Sequence, residues 1–208
     1  MQHPIRDWFE QHEGDDGDFG ITPRSYPFEV IPPKDATDTV LYCTKQHPIR
    51  KLLYEFEEAN PNGGLPFATI LRWGLPSEAD VAWLAATVGS RRFLFLGDAD
   101  PADLLIYAWL RERACLHKNL AIEHVGLCDK LLATCGVPFE KHLTIPMKPA
   151  EIAAMPLVEQ YLGDLPTVLG PWCGELLASG RKIEIEALFS FATCGPDQIA
   201  ACIVDGEA

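Results

Sequence analysis

Asp98 and Asp100 are the residues of this 208-residue chain whose type and spacing carry the most chemistry. They end the apolar run Phe93-Leu94-Phe95-Leu96, within Gly97-Asp98-Ala99-Asp100-Pro101. Alternate residues of an extended chain share a face, so the two carboxylates point the same way and can share one cation. Without a cation they repel each other, and one tends to keep its proton. A hard divalent ion such as Mg²⁺ removes that penalty and stabilises negative charge developing on a phosphate. The same residues also read as a strand end followed by a helix that Asp100 and Pro101 open.

The carboxylates need a buried parallel strand to deliver them, because open α/β sheets bind ligands outside the carboxyl ends of their strands. The hydrophobic pattern supplies one. Strands are predicted at 39–44, 67–73, 92–96 and 121–125, with helices at 48–59, 78–88 and 101–115 between them. Ser77 caps the second of these helices, and Asn60-Pro61-Asn62-Gly63-Gly64 is a turn. This β-α-β-α-β-α-β order predicts a mostly parallel four-stranded sheet with right-handed crossovers, flanked by helices. Beyond Pro146 the pattern is helical, at 150–162, 171–179, 182–191 and 196–203, with Gly180 as a stop. The expected organisation is an extended, acidic, Pro-rich arm over 1–37 carrying a short helix at 5–13, an α/β domain over 38–145, and a helical extension over 146–208 packed on it.

Composition narrows the function. Hydrophobic residues make up 48% of the chain, enough for a sizeable core, and no apolar stretch reaches membrane-spanning length. The start, Met1-Gln2-His3-Pro4, has no secretory pattern, and seven cysteines are an odd number, so a cytoplasmic protein without a disulfide framework is expected. A formal net charge of −13 repels nucleic acid and argues against strong DNA binding by this chain alone. Glu13-Gly14-Asp15-Asp16-Gly17-Asp18 lacks the ligand spacing and closing Glu of a calcium loop. Cys115, His117, His124 and Cys128 form only a loose zinc-like set, since His124 belongs to a strand and Cys128 lies beyond it. A phosphate loop, a Gly-x-Gly-x-x-Gly fingerprint and a Gly-x-Ser-x-Gly elbow are all absent from the sequence, which speaks against nucleotide triphosphatase, dinucleotide dehydrogenase and serine hydrolase chemistry.

Four segments, in order, resemble the Toprim domain of the topoisomerase VI A subunit and the related meiotic double-strand-break protein. They are Val40-Leu41-Tyr42-Cys43-Thr44-Lys45 with Ile49-Arg50-Lys51-Leu52; Ile70-Leu71-Arg72-Trp73-Gly74-Leu75-Pro76; Gly97-Asp98-Ala99-Asp100-Pro101 with Ile106-Tyr107; and Val125-Gly126-Leu127-Cys128-Asp129. A tail from Glu175 through Gly180-Arg181-Lys182 to Leu188 extends the resemblance, which covers about residues 39–203. It implies a Rossmann-like Toprim fold. It also implies a Mg²⁺ site in which a first-strand Glu and the Asp-x-Asp pair assist a partner tyrosine's attack on a DNA phosphodiester. Asp98 and Asp100 align with that metal-binding pair.

Two departures from the family pattern matter. The family's Glu-Lys is Thr44-Lys45 here, so one acidic ligand is replaced by a hydroxyl. The 38 residues before Thr39 are too few for the winged-helix domain that carries the family's tyrosine, and Tyr26 has no matching context. Thr44, Lys45, Arg72, Asp103 and Asp129 are accessory candidates. Lys45, Arg50 and Lys51 could meet phosphate at the sheet edge or be solvated helix-start charges, and Arg72 could assist an anion. Asp103 could complement the helix dipole, and Asp129 could approach the metal or cap a helix. Arg91 and Arg92 belong to the opposite sheet end, Glu55, Glu57 and Glu58 to a solvent face, and Lys182, Glu184 and Glu186 to a surface helix. The expectation is a Toprim-like protein with a partly degraded, weak Mg²⁺ site. It would be non-catalytic or dependent on a partner that supplies DNA binding or a nucleophile. The alternatives are an active Mg²⁺-dependent nuclease or phosphoryl-transfer enzyme built on Asp98 and Asp100, and an Asp-x-Asp glycosyltransferase using Mn²⁺.

Overall fold

The computed structural model describes residues 3–12, 28–117 and 120–205. The acidic run 13–18, Pro23, Tyr26 and Pro27 lie outside the described residues. In chain order the elements are α1 (Pro4–Gln11), β1 (Glu29–Ile31), β2 (Thr39–Cys43), α2 (Gln46–Ala59), β3 (Ala68–Leu71), α3 (Glu78–Val88), β4 (Arg92–Leu96), α4 (Pro101–Leu116) and β5 (Ile122–His124). There follow α5 (Asp129–Thr134), β6 (Ile145–Pro146), α6 (Pro149–Leu162), α7 (Leu165–Leu169), α8 (Pro171–Ala178), β7 (Arg181–Lys182), α9 (Ile185–Phe191) and α10 (Pro196–Asp205).

Continuous apolar runs make the central strands. Every residue of β2 and β3 is buried, which is how a strand covered on both faces reads. The sheet order is β1-β3-β2-β4-β5, with β2, β3, β4 and β5 parallel and β1 antiparallel on β3. The sheet is therefore five-stranded and mixed, where four strands were expected. The added strand lies in the stretch read as an extended arm. That same stretch contributes α1, which buries Ile5 and Phe9. A three-residue edge strand is too short to leave a periodic signal in the sequence.

The strand order places the site. From β2 the chain runs to β3 on one side and returns to β4 on the other, so the order reverses between β2 and β4. Open α/β sheets form their ligand crevice at such a reversal. Cys43 pairs with Leu96, so Thr44 and Gly97 leave the sheet side by side. The turn after β4 requires a glycine. A Cβ on Gly97 would come within 2.8 Å of Asp103 Oδ2 and 2.9 Å of Phe95 Cε1. Ser77 closes a capping box with Asp80 at the start of α3, as the sequence suggests.

The C-terminal part differs from an all-helical reading. Lys182, expected on a surface helix, lies in β7, which pairs antiparallel with β6, and its side chain is buried. Gly180, at a φ of 73°, ends α8, and helix resumes only at Ile185. A two-residue strand cannot announce itself by alternation, so this turn reads as helix from sequence. Beyond β7, Ala99 and Ile183 exchange backbone hydrogen bonds, Ala99 N to Ile183 O at 3.1 Å and Ile183 N to Ala99 O at 3.4 Å. The C-terminal segment thereby lies directly along the Asp-x-Asp turn. No helix among the described residues is long and apolar enough to cross a membrane.

Candidate functional site

The site is built from four elements that meet at the carboxyl edge of β2 and β4. Asp98 leaves β4 with both oxygens engaged. Its Oδ1 accepts the Ile185 amide at 2.8 Å, and its Oδ2 lies 2.8 Å from Lys45 Nζ. Asp100 is the N-cap of α4, its Oδ1 accepting the Asp103 amide at 2.8 Å. The other oxygen, Oδ2, faces Lys182 Nζ at 3.6 Å. Asp103, in the first turn of α4, turns back towards the strand. Its Oδ2 accepts the Asp98 amide at 2.7 Å and the Thr44 hydroxyl at 2.8 Å. Thr44 therefore spends its proton on a neighbouring carboxylate.

Two residues that sequence reasoning did not place here complete the network. Glu151 of α6 is 1% exposed, and its Oε1 accepts from Lys182 Nζ at 2.7 Å while Oε2 accepts the Lys148 amide at 2.6 Å. Lys182 stands between Glu151, Asp100 and, at 3.7 Å, the exposed Glu184. The only sequence signal for Glu151 was its position three residues after Lys148 at a helix start, which reads as capping. The only signal for Lys182 was the tail resemblance.

Burial governs the electrostatics. Asp98, Asp100, Asp103 and Glu151 are all at most 4% exposed, and the ammonium groups of Lys45 and Lys182 face them. Burial, then the charge of Asp103, pushes the Asp98 carboxyl well above the usual range against the pull of Lys45. Burial likewise raises Asp103 to about 6, with Lys45 opposing and Asp100 assisting. Burial alone would lower Lys45, but Asp103, Asp98 and Asp100 outweigh it and push it up. The raised Lys45 favours an ionised pair, whereas the raised Asp98 favours a neutral acid. The Lys45 ammonium at 2.8 Å and the buried charge of Asp103 thus pull the Asp98 carboxyl in opposite directions, and its burial decides the net direction. Lys182 is also pushed up, because Asp100 and Glu151 outweigh its desolvation.

A cavity of about 70 Å³ opens onto this network, lined among others by Thr44, Lys45, Asp100, Asp103, Glu151 and Lys182. It adjoins a wider groove of about 400 Å³ that shares Thr44, Lys45 and Trp73 and is flanked by His47.

The remaining candidates lie elsewhere or serve the fold. Arg72 Nη2 bonds Asp80 Oδ2 at 2.8 Å, and its guanidinium lies 4.4 Å from the Phe28 ring centroid. It thus ties β3 to the capping box of α3. Asp129 accepts the Trp172 and Cys173 amides, both at 2.8 Å, and so caps α8. His124 is in β5, and burial lowers its imidazole to about 4.

The donors in this arrangement do not fit Mg²⁺, which demands near-octahedral oxygen ligation and sheds its waters reluctantly. Both Asp98 oxygens are taken, one Asp100 oxygen caps α4, and the other faces an ammonium. Among the described residues, no group of three or more His, Cys, Asp or Glu is arranged to hold a metal ion, Cys115, His117, His124 and Cys128 included. No protein-family model matches the chain, and no curated protein matches it. The fold and site define an α/β protein with a mostly parallel sheet and a lysine-neutralised acidic crevice at its topological switch point.

Proposed function

We propose that this chain is a Toprim-like module whose metal site is degraded, and that it serves nucleic-acid processing as a non-catalytic or partner-dependent component. One observation carries the reading. At the rim where the family resemblance expects a divalent cation, Oδ2 of Asp98 and Oδ2 of Asp100 face the ammonium groups of Lys45 and Lys182. Thr44, at the position of the family's first acid, donates its proton to Asp103. These interactions supply internally the positive charge that a Mg²⁺ ion would bring, without its Lewis acidity. A cation entering the crevice must displace a lysine from a buried carboxylate, so Mg²⁺ or Mn²⁺ binds no tighter than roughly millimolar. With a net charge of −13, contact with DNA or RNA relies on a protein partner.

Calorimetric titration with Mg²⁺ and Mn²⁺, run beside a supercoiled-DNA nicking assay, tests the reading. The wild type should bind weakly and leave the DNA intact. Thr44→Glu restores the missing acid and should tighten cation binding about tenfold, a gain of ~1.4 kcal/mol. Unchanged affinity would count against equating Thr44 with the family's acid. The cavity lined by Asp100, Asp103 and Glu151 favours a second reading, a Mg²⁺-dependent nuclease that uses Asp100 with the adjoining Asp98. Metal-dependent nicking by the wild type, lost in Asp98→Ala, would establish that reading and overturn ours.

A further inference from the structure

Three of the seven cysteines, carried on different segments, come together outside the acidic crevice. Cys135 follows α5 and is fully buried, Cys194 lies half-buried in the turn between α9 and α10, and Cys202 lies within α10. Cys194 and Cys202 are both neighbours whose thiols act on the Cys135 thiol. The backbone fixes the approach, because Thr193 N donates to Cys135 O at 3.0 Å. Gly136, at a φ of 70°, sits so close to the Thr193 side chain that any Cβ there would collide with it. The turn carrying Cys194 is thus held against the end of α5 by main-chain contact. Cys115 is exposed, and Cys43 is buried in the central strand β2.

We infer that Cys135 and Cys194 form a reversible disulfide that fastens the turn before α10 to α5 when the protein meets a small-molecule disulfide oxidant. Cys194 is the half-buried partner and meets the oxidant first. Its thiolate attacks one sulfur of the oxidant, forming a mixed disulfide and releasing one thiolate. The Cys135 thiol then loses its proton, attacks the Cys194 sulfur and expels the second thiolate, which takes up a proton. Two protein thiols become one disulfide, and the oxidant is reduced to two thiols. Burial holds the Cys135 thiol well above its ordinary range, as do its thiol neighbours, so Cys135 does not react with the oxidant first and the second step follows only once the mixed disulfide has formed beside it. The consequence reaches the central sheet through packing. α10 packs on α2, the helix that begins immediately after Lys45, and Val204 and Asp197 of α10 accept hydrogen bonds from Arg92 and Asn60. The disulfide therefore restrains a helix packed on α2 and tied to Asn60 at its C-terminal end and to Arg92 at the start of β4, the sheet end opposite the site.

The test uses the full chain carrying Cys115→Ser, which removes the exposed thiol able to link two molecules. The native protein is incubated with glutathione disulfide, alkylated, digested without reductant and mapped by mass spectrometry. A Cys135–Cys194 crosslink is expected, lost on adding dithiothreitol, absent in Cys194→Ser and retained in Cys202→Ser. Amide exchange across α10 should slow about tenfold on oxidation. A Cys135–Cys202 crosslink, a stable mixed disulfide at Cys194 alone, or no modification of the folded protein would each overturn the inference. The map of the parent protein decides the matter even if Cys194→Ser folds poorly.

Discussion

Lys182→Met removes the internal cation and leaves its carboxylates behind. The ammonium is 2.7 Å from Glu151 and 3.6 Å from Asp100, with Glu151 only 1% and Lys182 only 6% exposed. Taking one member from a buried ion pair strands the other, at a cost of ~3–5 kcal/mol. The Lys148 amide still bonds Glu151, which places the expected loss near the lower end, about 3 kcal/mol. Methionine keeps the stem's length and flexibility, so the change reports on charge more than on volume. Urea unfolding at pH 7, compared at constant m-value, measures the loss. The decisive step is a double-mutant cycle with Glu151→Gln. Lys182→Met/Glu151→Gln should recover at least ~1.5 kcal/mol relative to the sum of the single losses, because the stranded charge has gone. A single-mutant cost below ~1 kcal/mol, or two losses that simply add, would show that Lys182 does not neutralise the crevice, and the central argument would fail.

The pH dependence of stability follows from Asp103. Its folded-state value of about 6 exceeds the ordinary 3.8, so the native protein holds the proton more tightly than the unfolded chain does. This contribution to stability is fully present below pH 4 and is lost as pH rises through about 6, by roughly 3 kcal/mol for a shift of that size. Asp103→Asn can still accept from Thr44 and the Asp98 amide, so it should flatten the pH 4–7 stability profile; an unchanged slope in urea titrations would refute the assignment. Gly97→Ala forces a methyl against Asp103 Oδ2 and Phe95, and a destabilisation of ~1–3 kcal/mol is expected in thermal unfolding. A neutral Gly97→Ala would mean that the turn after β4 has room to spare.

Much of this molecule follows from short-range pattern. The runs in β2 and β4, the apolar stripe of α2, the Ser77 capping box and Asp100 before Pro101 are all encoded within a few residues. Their alternation was enough to predict a parallel α/β sheet and to bring Thr44, Lys45, Asp98 and Asp100 to one edge. Tertiary contact alone decided the chemical state of that edge. Glu151 and Lys182 join Asp100 from 51 and 82 positions away, through a helix start and a two-residue strand whose sequences carry no distinguishing period. A carboxylate's ligand is chosen by what else is buried within a few ångströms of it, and that follows from how distant segments pack. The Asp-x-Asp motif therefore suggests a cation partner, and the fold sets lysine ammonium groups beside both carboxylates.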